Sequence, residues 1–126
     1  MSWFRADPRR FEKEVELMNE RTRAVLRRSG DHVFWIERLL SNTGQQYQLI
    51  IDYPDRFPYE MPRAYVARPS VDGAPHRLGD GSLCLFTDPF ATNPKITAVV
   101  VRNRAVLWFL TYEVWRVTGT WEAPAH

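Results

Sequence analysis

The sequence predicts an α+β domain of two layers: a helix, an antiparallel β-meander, a long loop and a second helix, filling residues 1–126 as one domain. Three observations predict it. Apolar residues recur at helical spacing near the start, the period falls to two around Gln46 to Tyr53, and helical spacing returns after about Asn103. With 126 residues and 44% hydrophobic side chains, such a chain buries a core without disulfides or metals.

The first helix is signalled by Asp7 as a cap and Pro8 at its first position. Phe11, Val15, Met18, Thr22 and Val25 then line one face up to Gly30, a span of about five to six turns. His32 to Leu40 is rich in large and β-branched residues, Asn42-Thr43-Gly44 is a turn signal, and Tyr47, Leu49, Ile51 and Tyr53 alternate with polar neighbours. This pattern predicts a β-hairpin. Prolines at 54, 58, 62 and 69 keep the next passage extended, with at most one short strand, Arg63 to Ala67, and aromatic–proline packing to stiffen it.

Residues 68–95 carry Pro69, Gly73, Pro75, Gly79, Gly81, Pro89 and Pro94 and form the longest irregular region. Leu83, Leu85 and Phe86 are expected to pin it to the core. Val106, Leu107, Leu110, Val114 and Val117 mark one face of the second helix, which Gly119 stops. Its run AVLWFL is apolar nearly all round, which predicts burial on more than one side; Trp108, Trp115 and Trp121 are read as packing residues.

A net charge of +2 does not call for a nucleic-acid partner. The basic excess is local, eight basic against five acidic side chains in residues 1–30, and fits a solvated helix face, with docking of an acidic protein left open. One cysteine makes no internal disulfide, and no Cys/His cluster has metal-ligand spacing, so no metal or cofactor is expected and a reducing cytoplasm fits. The opening MSWFRADPRR has no apolar signal core, and runs such as Ala105 to Leu110 fall far short of a membrane span, so no membrane association is expected. No P-loop or dinucleotide glycine loop is present, so the chain is not expected to activate a carboxylate with ATP itself.

The lone cysteine, Cys84 in GDGSLCLF, admits two readings: a small buried hydrophobe, or a nucleophile lifted into reach by a glycine turn. A papain-like hydrolase would need a downstream histidine, and only His126 follows Cys84. An acyl carrier fits the residue better. Its product must stay activated toward amines, and a thioester meets that need where an oxygen ester or amide does not.

The element order, the passage Tyr53-Pro54, Phe57-Pro58 and Met61-Pro62, and Cys84 with Gly81 three residues before it together resemble the ubiquitin-conjugating enzyme superfamily (UBC fold). That family carries His-Pro-Asn upstream of its cysteine; here Ala74-Pro75-His76 stands at that offset, with the proline matched and histidine in place of asparagine. PHRLGDGSLCLF and the terminal YEVWRVTGTWEAPAH look more narrowly like bacterial ubiquitin-conjugating-like proteins of antiphage cyclic-oligonucleotide signalling (CBASS) operons, in which histidine is typical at that position.

The resemblance implies a UBC-like fold and a transferase in which Cys84 carries the carboxyl terminus of a donor protein as a thioester and passes it to a lysine or other amine. The implied donor is the cyclic-oligonucleotide synthase or, in other bacterial operons, a ubiquitin-like protein, supplied either by a separate activating enzyme, which in the family the first helix helps to dock, or as an unusual preactivated donor. It gives His76 the role of oxyanion donor, worth about two to four kcal/mol of barrier. A base or an activator of Cys84 stands as the alternative for His76. Asp88 would orient or deprotonate the incoming lysine, or else only begin the turn before Pro89. A UBC-like binding module without catalysis is the competing class, against which the presence of Cys84 counts.

Overall fold

The computed structural model describes residues 2–86 and 93–122. Two helices come first, α1 (Trp3–Ala6) and α2 (Pro8–Arg21). Four strands follow, β1 (Val25–Ser29), β2 (His32–Leu40), β3 (Gln46–Asp52) and β4 (Arg63–Arg68), and then α3 (Ala98–Thr118). The strands form one open antiparallel sheet in the order β1-β2-β3-β4, so the described residues make a mixed α/β structure of helices packed on a meander.

Asp7 caps α2 as its sequence position predicts, its side chain accepting the Arg10 amide at 3.1 Å, with Pro8 as the first helical residue. The helix is shorter than its apolar spacing suggests. It ends at Arg21, where the Thr22 hydroxyl donates to the Met18 carbonyl at 2.7 Å and accepts the Ala24 amide at 3.1 Å. That hydroxyl satisfies groups at which the helix would otherwise continue. Val25–Ser29, expected to be helical, is instead a strand paired with β2 from Val25↔Ile36 to Ser29↔His32. Gly30, at φ 61°, opens the two-residue turn between them.

The alternation in β3 holds. Tyr47, Leu49 and Ile51, with Tyr53 beyond the strand end, are buried on the helix side, facing Val33 and Trp35 from β2. Aromatic rings stiffen the passage after β3: Phe57 lies 4.6 Å from Trp3 and 4.8 Å from Tyr53. The Arg10 guanidinium sits over the Phe57 ring at 4.9 Å and donates to the Pro94 carbonyl at 2.6 Å, tying α2 to the chain entering α3.

Helix α3 begins at Ala98, five residues earlier than its apolar face suggests, because two groups satisfy its first amides. The Thr97 hydroxyl accepts from Val100 at 3.3 Å, and the buried Glu14 carboxylate accepts from Ala98 at 2.9 Å. Glu14 also accepts the Tyr53 hydroxyl, whose oxygen takes the Trp35 indole proton, so one buried chain of hydrogen bonds links sheet, α2 and α3. Burial and the Glu14 carboxylate push the Tyr53 phenol well above its ordinary range. Arg102 of α3 makes two 2.9 Å bonds to the buried Glu37 carboxylate of β2. Gly119 ends the helix in the left-handed conformation, φ 76°.

Helix α3 is covered on two sides and open on a third: Phe109 and Tyr112 pack on Tyr47 of β3, Trp108 reaches the His76 carbonyl, and Leu107, Leu110, Val114 and Val117 are 41–86% exposed.

Candidate functional site

The region read as irregular contains a small hairpin. Leu78 donates its amide to Ser82 O at 2.8 Å, Gly81 donates to Leu78 O at 3.0 Å, and Arg77 pairs with Leu83. Gly81 takes φ 89°, where a side chain would be strained. The turn between β2 and β3 repeats this pattern with Ser41, Gly44 and Gln45, Gly44 standing at φ 86°. Both are three-residue hairpin loops closed by a left-handed glycine.

Asp80 fastens the turn. Its Oδ1 accepts the Ser82 amide at 2.9 Å and the Ser82 hydroxyl at 2.6 Å, while Oδ2 faces Arg63 at 3.2 Å and Tyr65 Oη at 3.4 Å. Burial works to raise this carboxyl, but the Ser82 bonds and the Arg63 charge outweigh it and hold Asp80 below the usual range. Ser82 itself is fully buried.

Beyond the turn the chain runs extended and its side chains alternate. The Leu83 amide bonds Ala64 O of β4 at 2.9 Å, and Leu83 and Leu85 are buried at 4% and 5% exposure, as their pinning role predicts. Cys84, between them, is partly exposed. Its amide donates to the His76 carbonyl at 2.9 Å, and its Sγ lies 3.7 Å from Phe86 O.

His76 stands opposite Cys84 at the mouth of the hairpin. It has φ 58°, the only non-glycine residue with positive φ among the described residues. Histidine enters that region more readily than most side chains, at a cost the surroundings must offset. Here the His76 carbonyl accepts both the Cys84 amide and the Trp108 indole N–H, the latter at 3.0 Å. The exposed His76 ring stacks on Trp121, with centroids 5.1 Å apart and planes at 25°.

Two of the residues singled out from the sequence, Cys84 and His76, are therefore joined through one backbone bond. The third, Asp88, lies outside the described residues, as does His126. Sequence reasoning missed Asp80, Trp108 and Trp121 as supports of the site. Asp80 was findable, since an aspartate two residues before a serine after Gly-x is Asx-turn chemistry. The two tryptophans carry no local signal. Among the described residues no group of three or more His, Cys, Asp and Glu side chains is arranged to hold a metal, and no helix is long and apolar enough to cross a membrane.

This arrangement offers a partly exposed thiol with its backbone fixed, a histidine in a constrained conformation at the paired position, and a turn whose polar groups are internally satisfied. Residues 14–126, which contain all of it, match the family described as Type II CBASS E2 protein. No curated protein and no solved structure matches the chain. The chain belongs to the Type II CBASS E2 family, and is a bacterial CBASS-associated E2-like protein.

Proposed function

We propose that residues 1–126 act as one UBC-like domain whose Cys84 carries the carboxyl terminus of a donor protein as a thioester and transfers it to an amine, in the cytoplasm. The observation that carries this reading is the setting of Cys84: partly exposed, held to His76 at 2.9 Å through its own amide, on the outgoing arm of a closed hairpin within the family-matched segment. A cysteine serving only as core packing would share the burial of its neighbours Leu83 and Leu85.

In the charging step the Cys84 thiolate attacks the carbonyl carbon of an acyl group already activated on a separate enzyme. A carbon–sulfur bond forms, the bond to the activating group breaks, and the thiol proton passes to solvent. In the transfer step a lysine amine attacks the thioester, the carbon–nitrogen bond forms, and Cys84 leaves as thiolate while the amine loses its proton. His76 supplies a hydrogen bond to the oxyanion of that second step, and Asp88 orients or deprotonates the incoming amine. The CBASS family membership favours the cyclic-oligonucleotide synthase as donor over a ubiquitin-like protein.

Intact mass spectrometry of the protein recovered from cells expressing its neighbouring genes tests the reading. The expected result is an adduct on Cys84, released by hydroxylamine and by thiol reductant as the donor protein, whose mass separates the two donors. Cys84→Ala should abolish conjugates with the fold intact. His76→Ala should charge normally and discharge slowly, by about a hundredfold if its hydrogen bond resembles other oxyanion donors. An unmodified, unreactive Cys84 in the folded protein would refute the carrier and leave a binding module.

A further inference from the structure

His76 is anchored through its backbone by Cys84 and Trp108, but neither contact orients its ring. Among the described residues the ring makes no hydrogen bond, and it is exposed to solvent. A side chain acting on an oxyanion must be held in its working orientation beforehand, because ordering it during the reaction would consume part of the stabilisation it provides. One group is placed to hold it: the Trp121 indole, stacked on the imidazole at 5.1 Å and 25°.

Trp121 is itself delivered by specific turn chemistry. Gly119 stops α3 at φ 76° with its amide on Trp115 O at 2.8 Å. The Thr118 hydroxyl donates to Val114 O at 3.0 Å and accepts the Thr120 amide at 3.1 Å, turning the chain back along the helix. Trp121 then meets the buried Trp108 at 5.3 Å and the partly buried Trp115 at 6.3 Å, so an aromatic wall backs the ring that His76 leans on. Trp108 thus serves both halves of the histidine, its N–H bonding the backbone and its ring supporting the stack. Trp108 is locked in turn against Tyr112, at 5.2 Å and 12°.

We infer that Trp121 is a positioning residue for the transfer step, fixing through the stack the ring of His76, whose backbone is paired with Cys84. This rests on the carrier role proposed for Cys84 and the oxyanion role proposed for His76. It adds that the segment after the last helix is a working part of the site, and that its sensitive quantity is discharge of the thioester.

The test pairs a spectroscopic with a kinetic readout on the full chain. In Trp121→Ala the ring-proton resonances of His76, identified by their loss in His76→Gln, should lose the upfield shift imposed by the indole; Trp121→Phe should retain part of it. Charging of Cys84 should be unchanged in Trp121→Ala. Discharge to a free amine should slow about threefold to tenfold, the factor such a stack is worth, and Trp121→Phe should restore most of it. The His76→Ala/Trp121→Ala double variant should discharge no more slowly than His76→Ala alone. His76 ring shifts indifferent to Trp121→Ala, or a Trp121→Ala effect persisting in the His76→Ala background, overturns the inference and leaves the carrier role standing. A wild-type protein that takes no thioester overturns both, while the ring shifts still report whether the stack exists.

Discussion

Replacing Gly81 by alanine asks whether the hairpin turn holds Cys84 in place. A non-glycine residue at φ 89° costs about 1–2 kcal/mol in backbone strain. Alanine returns about 0.4–1 kcal/mol by restricting the unfolded chain, which leaves a net loss of about 0.5–1 kcal/mol. Sterics add little, since the new Cβ would meet only the end of the flexible Arg77 side chain at 3.7 Å. Gly44 is a matched control: it has φ 86°, closes the same kind of loop, and offers its Cβ nothing within 4 Å. Both variants should lower Tm by a few degrees. They should differ at the cysteine. The β2–β3 hairpin runs in register from Phe34↔Asp52 to Leu40↔Gln46 and distributes its strain. The small hairpin has a single bridge, Arg77↔Leu83, against the seven paired positions of β2 and β3, so it relieves strain by opening locally. Gly81→Ala should therefore reduce exchange protection of the Cys84 amide by about fivefold, near 1 kcal/mol, and speed its reaction with a thiol reagent, while Gly44→Ala leaves both unchanged. Gly81→Asn should be milder, as asparagine tolerates the left-handed region. Equal effects of the two alanine variants on Cys84 would refute the claim that the turn controls it.

Arg102→Met should cost about 3–5 kcal/mol in urea unfolding, because it strands the buried Glu37 carboxylate, and the Glu37→Met/Arg102→Met double variant should recover most of that loss. Asp80 has a folded-state pKa below its unfolded value, so its stabilisation is present above the unfolded pKa and disappears as pH falls through the folded one. The Ser82 amide resonance should accordingly titrate below the usual carboxylate range as Asp80 protonates, and lie flat in Asp80→Asn. Trp108→Phe keeps the aromatic bulk and removes one hydrogen bond to His76 O, which still accepts from Cys84; thermal unfolding should report a loss of about 1 kcal/mol.

What could be read from the sequence divides by the range of the interactions involved. Tyr47 to Tyr53 was legible because a half-buried strand writes its environment directly into a period of two. Strand β1 was not, since most of its side chains are exposed and its two apolar residues, Val25 and Leu26, carry no alternation. Thr22 and Val25 continue the helical spacing of α2, and only the partner strand and a hydroxyl bond redirect them. The start of α3 was missed for the complementary reason. The run Val99 to Val101 has weak helical propensity, and it is helical because a carboxylate from α2, Glu14, satisfies the first amide of the helix.

The same division runs through the candidate site. Cys84 stood out because its setting is local: a glycine three residues before it, which takes the left-handed conformation, and flanking leucines that bury while the thiol stays partly exposed. His76 was marked by its offset from Cys84 alone, and nothing near it in the chain announces the positive φ or the stacked ring. Its supports, Trp108 and Trp121, come from the last helix and the turn beyond it. A cysteine held by local chemistry survives a change at the far end of the chain, whereas a histidine held by distant rings does not. Substitutions near residue 121 should therefore leave the presentation of the Cys84 thiol intact and alter only the orientation of the His76 ring.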